Sequence, residues 1–273
     1  SNSSRGSTES SEILGEGGDF PVFSTSSDFS SSSMSSNRSD LSSLSSHPND
    51  ESILNFSFNY DAGTVEVVGF RNPSETRNVL TIPNEIFRWG RYWPVVSIGP
   101  YAFSHNPHLS IVHLPVNLKQ IKNCAFSECD KLEAVNFRFL LFLESIGTGA
   151  FSVNPFASRE WGTIEFPPSL KIIGREAFDG RKIHTIYFTS NIMEIGQSAF
   201  RHHFEHSLSS VNFGHSLSAP LVGDMAFMGR YMPNVIYCTG ATGFTDPWAG
   251  CRTYARDCGW MNFDSSLSSS ASS

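Results

Sequence analysis

A chain of 273 residues with a net charge of −7 and no block of Lys or Arg excludes a dedicated nucleic-acid surface, which needs a basic stripe to displace counterions from phosphates. Its most apolar stretch, FRFLLFL at 137–143, is far shorter than the roughly 20 residues that cross a bilayer, so no transmembrane segment is expected. Ser supplies 20 of the first 50 residues, and such a segment buries too little apolar surface to offset its ordering entropy.

Taken in order, residues 1–52 therefore read as a Ser-rich disordered segment, 53–263 as the folded part, and 264–273 as a second Ser-rich disordered tail. At about 210 residues the folded part can bury a sizeable core. Because the chain opens on Ser1, the lack of a leader carries no information about secretion. Three N-x-S sequons, at Asn2, Asn37 and Asn55, suit a secreted protein, but a Ser-rich composition also generates them by chance.

The folded part starts with I-L-N-F-S-F-N-Y at 53–60, a turn at Asp61, Ala62 and Gly63, and T-V-E-V-V at 64–68. Apolar alternation around a Gly-containing turn predicts a β-hairpin, placed to cap the N-terminal end. Leu80, Thr81, Ile82 and Pro83 then match the end of a strand element that recurs downstream.

From here the sequence repeats. The pair Ala-Phe returns six times, at steps of roughly 22 to 27 residues, the period of leucine-rich-type repeats. Its Phe residues are Phe103, Phe126, Phe151, Phe178, Phe200 and Phe227. Four positions before each Ala stands a β-branched residue: Ile98, Ile121, Ile146, Ile173, Ile195 and Val222. Gly follows it in every copy except one, where Lys122 stands. Each box is expected to end a short return strand, to turn at its Gly, and to place its Phe in a buried spine.

After each box comes a second element: L-x-x-V-x-L-P at 109–115, L-x-x-V-x-F at 132–137, W-x-x-I-x-F-P at 161–167, I-x-x-I-x-F at 183–188, L-x-x-V-x-F at 208–213 and a weaker M-x-x-V-x-Y at 232–237. The alternating end of each copy has the period of a strand with one buried face, so successive copies should stack as parallel strands. Between its two buried residues each strand points one side chain outward: His113, Asn136, Glu165, Tyr187, Asn212 and Ile236. This row is the candidate binding face, and longer spacers at 153–160 and 201–207 flank it. The aromatic, Gly-rich stretch at 237–260 breaks the repeat and reads as a closing cap.

The chemistry-bearing residues are few. His202 and His206 would share a helix face as a divalent-metal pair, but H-E-x-x-H is absent and an exposed polar insertion explains the stretch, so no metal and no cofactor are expected. No G-x-S-x-G, phosphate loop or dinucleotide fingerprint occurs, and the chain is expected not to be an enzyme. Five Cys without a C-x-x-C pair give no zinc motif; Cys124 and Cys129 fall inside the repeat pattern, while Cys251 and Cys258 could pair with each other or with Cys238.

These repeats resemble the BspA-type leucine-rich repeat family of bacterial surface proteins and many microbial eukaryotes, whose unit runs roughly L-x-x-I-x-I-P, a spacer, then I-G-x-x-A-F-x-x-C. Residues 109–115 followed by IKNCAFSEC at 121–129 carry the closest match, and the likeness spans about 56–240. Lys122, the longer spacers after Phe151 and Phe200, and the single retained Cys129 depart from the pattern. The resemblance implies an α/β repeat fold: a right-handed solenoid of stacked parallel strands with short helical or irregular turns. It also implies a non-enzymatic module at the cell surface or secreted, adhering to an extracellular or host protein, with no catalytic residues to transfer. The alternative is a cytoplasmic scaffold, or the sensing domain of a larger multidomain protein.

Overall fold

The computed structural model describes residues 50–256, apart from 155, 157, 158, 190, 203–207 and 215. Every described residue lies in one compact unit, Ser46–Ser273. Of the expected Ser-rich segments, 264–273 and residues 1–49 of 1–52 lie outside the described residues, while Asp50 is buried and Glu51–Ile53 form a 3-10 turn.

Strands β1 (Leu54–Asn59) and β2 (Thr64–Phe70) pair antiparallel, from Leu54 opposite Phe70 to Asn59 opposite Thr64. Alternation drives the pairing: Leu54 is buried and Phe56 and Phe58 half-buried, while Asn55 and Ser57 face solvent. β3 (Val79–Thr81) follows, and then a second hairpin absent from the sequence expectation, β4 (Glu85–Arg88) with β5 (Arg91–Ile98). Its two-residue turn holds Trp89 and Gly90 at φ 53° and 77°, the doubly left-handed backbone that matches the twist of the flanking strands.

Downstream, each repeat supplies one strand to each of two walls. The return wall takes the two-residue strands β7 (Gln120–Ile121), β9 (Ser145–Ile146), β11 (Ile172–Ile173), β13 (Glu194–Ile195) and β15 (Leu221–Val222). They join β1, β2 and β5 in one sheet ordered β1-β2-β5-β7-β9-β11-β13-β15, parallel from β2 onward. The facing wall is two parallel sheets. One is β3 with β6 (Ile111–His113) and β8 (Ala134–Val135). The other runs β10 (Glu160–Phe166), β12 (Lys182–Phe188), β14 (Ser210–Asn212), β16 (Asn234–Cys238) and β17 (Arg252–Arg256).

Between the walls lies the core. The six box Phe are all at most 3% exposed, and their rings stack in file: 5.1 Å from Phe103 to Phe126, then 5.3, 5.2, 5.2 and 5.8 Å on to Phe227, with interplanar angles of 17° or less. The β-branched box residues are buried as well, except Val222, which is half-buried. A second file, Phe166, Phe188 and Phe213, stacks at 5.3 and 5.1 Å on the facing wall. Rings of the two files meet edge-on, as between Phe166 and Phe178 at 5.6 Å, the geometry that ring quadrupoles favour.

The box holds its shape through a ladder of main-chain bonds. In the first five copies the N–H before Ala, the Phe N–H and the N–H two residues on donate to carbonyls of the next copy; Phe126 to Ala150 at 2.8 Å and Phe178 to Ala199 at 2.8 Å are examples. The residue before Ala is left-handed in all six copies, φ 54° to 60°, at Tyr101, Cys124, Gly149, Glu176, Ser198 and Met225. This corrects the expected role of the box Gly. The left-handed position lies two residues later, and Gly serves close approach instead: a Cβ on Gly174 would sit 2.6 Å from Thr148 N, and one on Gly223 2.4 Å from Gln197 N. In the second copy Lys122 stands at the Gly position, and its ammonium reaches Glu66 of β2.

The same ladder corrects the α/β expectation. Among the described residues the helical pieces are two three-residue 3-10 turns, Glu51–Ile53 and Phe137–Phe139. A left-handed residue in every box ends any right-handed turn before a helix can propagate. The described fold is therefore β throughout.

Candidate functional site

Where the facing wall changes sheets, it is split. β8 and β10 come from consecutive repeats yet do not pair, although every other consecutive pair on this wall does. Two features of β10 account for this. Its pairing with β12 slips at Gly162, whose φ is 61°, and such bulges end pairing and re-aim a strand. The box before it also leads into the longer spacer at 153–160, where Phe156 is 79% exposed.

Trp161 and Arg181 fill the split from inside. Arg181 is 2% exposed and occupies the place after the box where Cys129 stands two repeats earlier. Its Nε donates to Phe151 O at 2.8 Å, Nη1 to Leu132 O at 3.0 Å and Nη2 to Cys129 O at 3.1 Å. Trp161 Nε1 donates to the same Leu132 oxygen, and the guanidinium lies 4.8 Å from the Trp161 ring centroid. Burial lowers the guanidinium pKa to about 10. Side-chain donors thus satisfy the buried main-chain carbonyls of Leu132 and Phe151 beside the split.

Outside, the split opens as a cleft of ≈ 340 Å³ between Glu133, Ala134, Val135 and Phe139 on one side and Thr163, Ile164 and Glu165 on the other. Arg138 Nη1 reaches across it to Glu165 Oε2 at 3.4 Å. Beside the cleft Phe139, Leu141 and Phe142 are 55% to 65% exposed.

The expected outward row falls into two registers. Glu165, Tyr187, Asn212 and Ile236 are Cα partners in one continuous ladder, which β17 extends to Tyr254. His113 pairs with Thr81 in the other sheet. Glu165, Tyr187, Ile236 and His113 are half-exposed. Two members need correction. Asn212 is only 3% exposed, since its amide turns back onto its own sheet toward Ile186 O and Ser210 Oγ, each at 3.4 Å. Asn136 is half-exposed but occupied: its Oδ1 accepts from Leu114 N at 2.8 Å and its Nδ2 donates to Leu114 O at 3.0 Å. An Asn side chain stands there in place of a strand. Sequence reasoning missed Tyr254, 45% exposed, because the repeat pattern fades after Tyr237.

The remaining candidates offer little chemistry. Among the described residues no three His, Cys, Asp or Glu side chains are grouped to hold a metal. His202 is buried, and His206 lies outside the described residues. Cys238 is disulfide-bonded, whereas Cys124, Cys129 and Cys251 are free thiols, which removes Cys251 as its partner. Burial pushes the Cys129 thiol up to about 11, away from the thiolate that reacts. No described helix is long and apolar enough to cross a membrane.

Comparison with known proteins matches this architecture. A family model described as BspA type leucine rich repeat region fits six copies over residues 96–234. Among solved structures, a leucine-rich repeat protein of T. pallidum is 19% identical, with 70% of this chain and 86% of that one covered and a TM-score of 0.51. A leucine rich cell surface protein of Faecalibacterium prausnitzii is also 19% identical, over 68% of this chain and 53% of that one, at a TM-score of 0.46. The pneumococcal vaccine antigen PcpA is 16% identical over 74% and 69%, at 0.40. No curated protein matches.

Proposed function

Since the chain belongs to the BspA-type leucine-rich repeat family, whose repeats commonly mediate protein binding, we propose that it is a non-enzymatic adhesion module that grips a protein through its facing wall. In this reading the repeats form a right-handed solenoid, capped at its N-terminal end by β1 and β2. The observation that carries it is the in-register row of half-exposed Glu165, Tyr187 and Ile236 and exposed Tyr254, which starts at the open cleft, while Ile164, Ile186 and Val235, one residue before the first three, are at most 4% exposed. Tyr is among the residues that most often anchor protein interfaces.

Display at the cell surface or secretion is supported by the disulfide at Cys238, a bond that persists in oxidising compartments. The printed names of two solved relatives, a cell surface protein and a vaccine antigen, point the same way. Immobilised protein exposed to extracellular and host-surface fractions tests the proposal. Tyr187→Ala combined with Tyr254→Ala should capture far less protein than the unaltered chain, and equal capture contradicts the assignment of this face.

A further inference from the structure

Between residues 50 and 256 the triplet Asn55-Phe56-Ser57 is the only N-x-S or N-x-T sequon with a middle residue other than Pro, and it stands outside the Ser-rich stretch that makes such triplets by chance. It lies on β1, the outermost strand of the nine-stranded sheet. Asn55 and Ser57 are both exposed, whereas Leu54 is buried and Phe56 and Phe58 are half-buried. The alternation of the strand thus turns both polar groups of the sequon to solvent.

The surroundings leave the Asn55 amide accessible. Opposite it on β2 stands Gly69, which brings no side chain, and the pairing slips between Asn55 and Phe56, a bulge of the kind that re-aims a side chain. Asn55 Nδ2 donates to Phe70 O at 3.4 Å in an exposed contact, longer than most N–H···O bonds. An amide nitrogen that carries a sugar keeps one hydrogen, so this contact and a linked carbohydrate are compatible. Asn72 supplies a contrast within the same molecule. It too is exposed and has Ser two residues on, but Pro73 stands between them, and a central Pro removes the acceptor.

We propose that Asn55 is an N-glycosylation site, an inference that rests on the reading of this chain as displayed or secreted. The co-substrate is an oligosaccharide carried on a polyprenyl diphosphate, and an oligosaccharyltransferase of the secretory route makes the transfer. A bond forms between Asn55 Nδ2 and the anomeric carbon of the first sugar. The bond from that carbon to the diphosphate oxygen breaks, the diphosphate leaves with the electron pair, and the nitrogen gives up one proton. Nothing is oxidised or reduced. The disulfide at Cys238 belongs to the oxidising compartments in which secreted chains mature. β1 is part of the return wall's sheet, while Glu165, Tyr187, Ile236 and Tyr254 lie on the facing wall, so the carbohydrate is rooted off the proposed contact face.

The test is peptide mass analysis of the full chain isolated from its own cells, before and after an amidase that releases N-linked glycans and leaves Asp in place of the glycosylated Asn. Asn55 should be recovered as Asp after release, and Asn72 as Asn. Ser57→Ala should abolish the conversion at Asn55 and Ser57→Thr should retain it; Ser57 is exposed on β1, so both variants should fold, as unchanged thermal midpoints would show. Asn55 recovered as unmodified Asn overturns the proposal. The state of Cys238 in the same sample then separates the two failures: an oxidised Cys238 leaves the extracellular reading standing, and a reduced one removes both. Conversion that persists in Ser57→Ala, occurs equally at Asn72, or appears without the amidase also overturns it, by assigning the Asp to deamidation.

Discussion

Arg181 and Trp161 donate to one carbonyl oxygen, that of Leu132, with the guanidinium lying over the indole ring at 4.8 Å. Together they hold the split between β8 and β10 closed on the core side while it stays open outside. Arg181→Met would keep much of the volume but strand the carbonyl of Phe151, while Leu132 O keeps Trp161 Nε1 and Cys129 O keeps the N–H of Leu132. An unsatisfied buried group costs roughly 1–3 kcal/mol, so a loss of about 1–3 kcal/mol is expected in urea unfolding. Arg181→Lys should not rescue it, because an ammonium lacks the planar fork that reaches three oxygens. Full rescue by Lys would mean that charge, not geometry, closes the split.

Gly174 and Glu176 make opposite predictions two residues apart. Gly174→Ala puts a Cβ 2.6 Å from Thr148 N and 2.7 Å from Gly147 C, and overpacking against backbone typically costs about 1–3 kcal/mol. Glu176 sits at φ 54°, where Gly is more comfortable than any side chain, so Glu176→Gly should be neutral or stabilising within about 1 kcal/mol. Denaturant midpoints of the two variants decide the point, and a reversed order would return the turn to the box Gly.

The Phe file makes its own demand. Phe178 lies 5.2 Å from both Phe151 and Phe200 and is fully buried. Phe178→Ala should destabilise by about 3–5 kcal/mol, as core truncations of this size do. A change below about 1 kcal/mol would be incompatible with a stacked spine.

Cys129 links stability to pH. Its thiol, with Sγ 3.1 Å from Phe103 O, is raised by burial from 9.0 to about 11. The folded chain therefore holds this proton more tightly than the unfolded chain does. The resulting stability is fully present below pH 9.0 and is lost as pH climbs toward about 11, a decline of up to roughly 2–3 kcal/mol. Cys129→Ala should flatten that alkaline decline relative to the unaltered protein, and matching pH profiles of the two would contradict the assignment.

Much of the fold is legible because burial is periodic. The alternation at 53–60 and the recurring V-x-F endings specify strands with one buried face, and the spacing of Ala-Phe specifies how they stack. The β4–β5 hairpin was less visible, since its turn is Trp89-Gly90 rather than a commoner Asn-Gly, although the Gly was a usable signal. The box Gly was assigned to the turn because a sequence does not reveal which residue touches a neighbouring copy. The split wall is a tertiary effect, traceable in the sequence to Gly162, to the longer spacer at 153–160 and to an Arg where an earlier repeat has Cys. Asn136 and Asn212 show why an outward position is not the same as an available one: short amides fold back onto the nearest main chain.

The central claim is that the facing wall binds protein while the boxes only build the stack. The most direct measurement places a photo-crosslinking side chain at Tyr187 on the facing wall and, separately, at Glu176 in a box, both half-exposed, with the protein held against host-surface and extracellular fractions. The account predicts a discrete protein adduct from Tyr187 and none from Glu176. The same adduct from both positions, or an adduct from Glu176 alone, would contradict it.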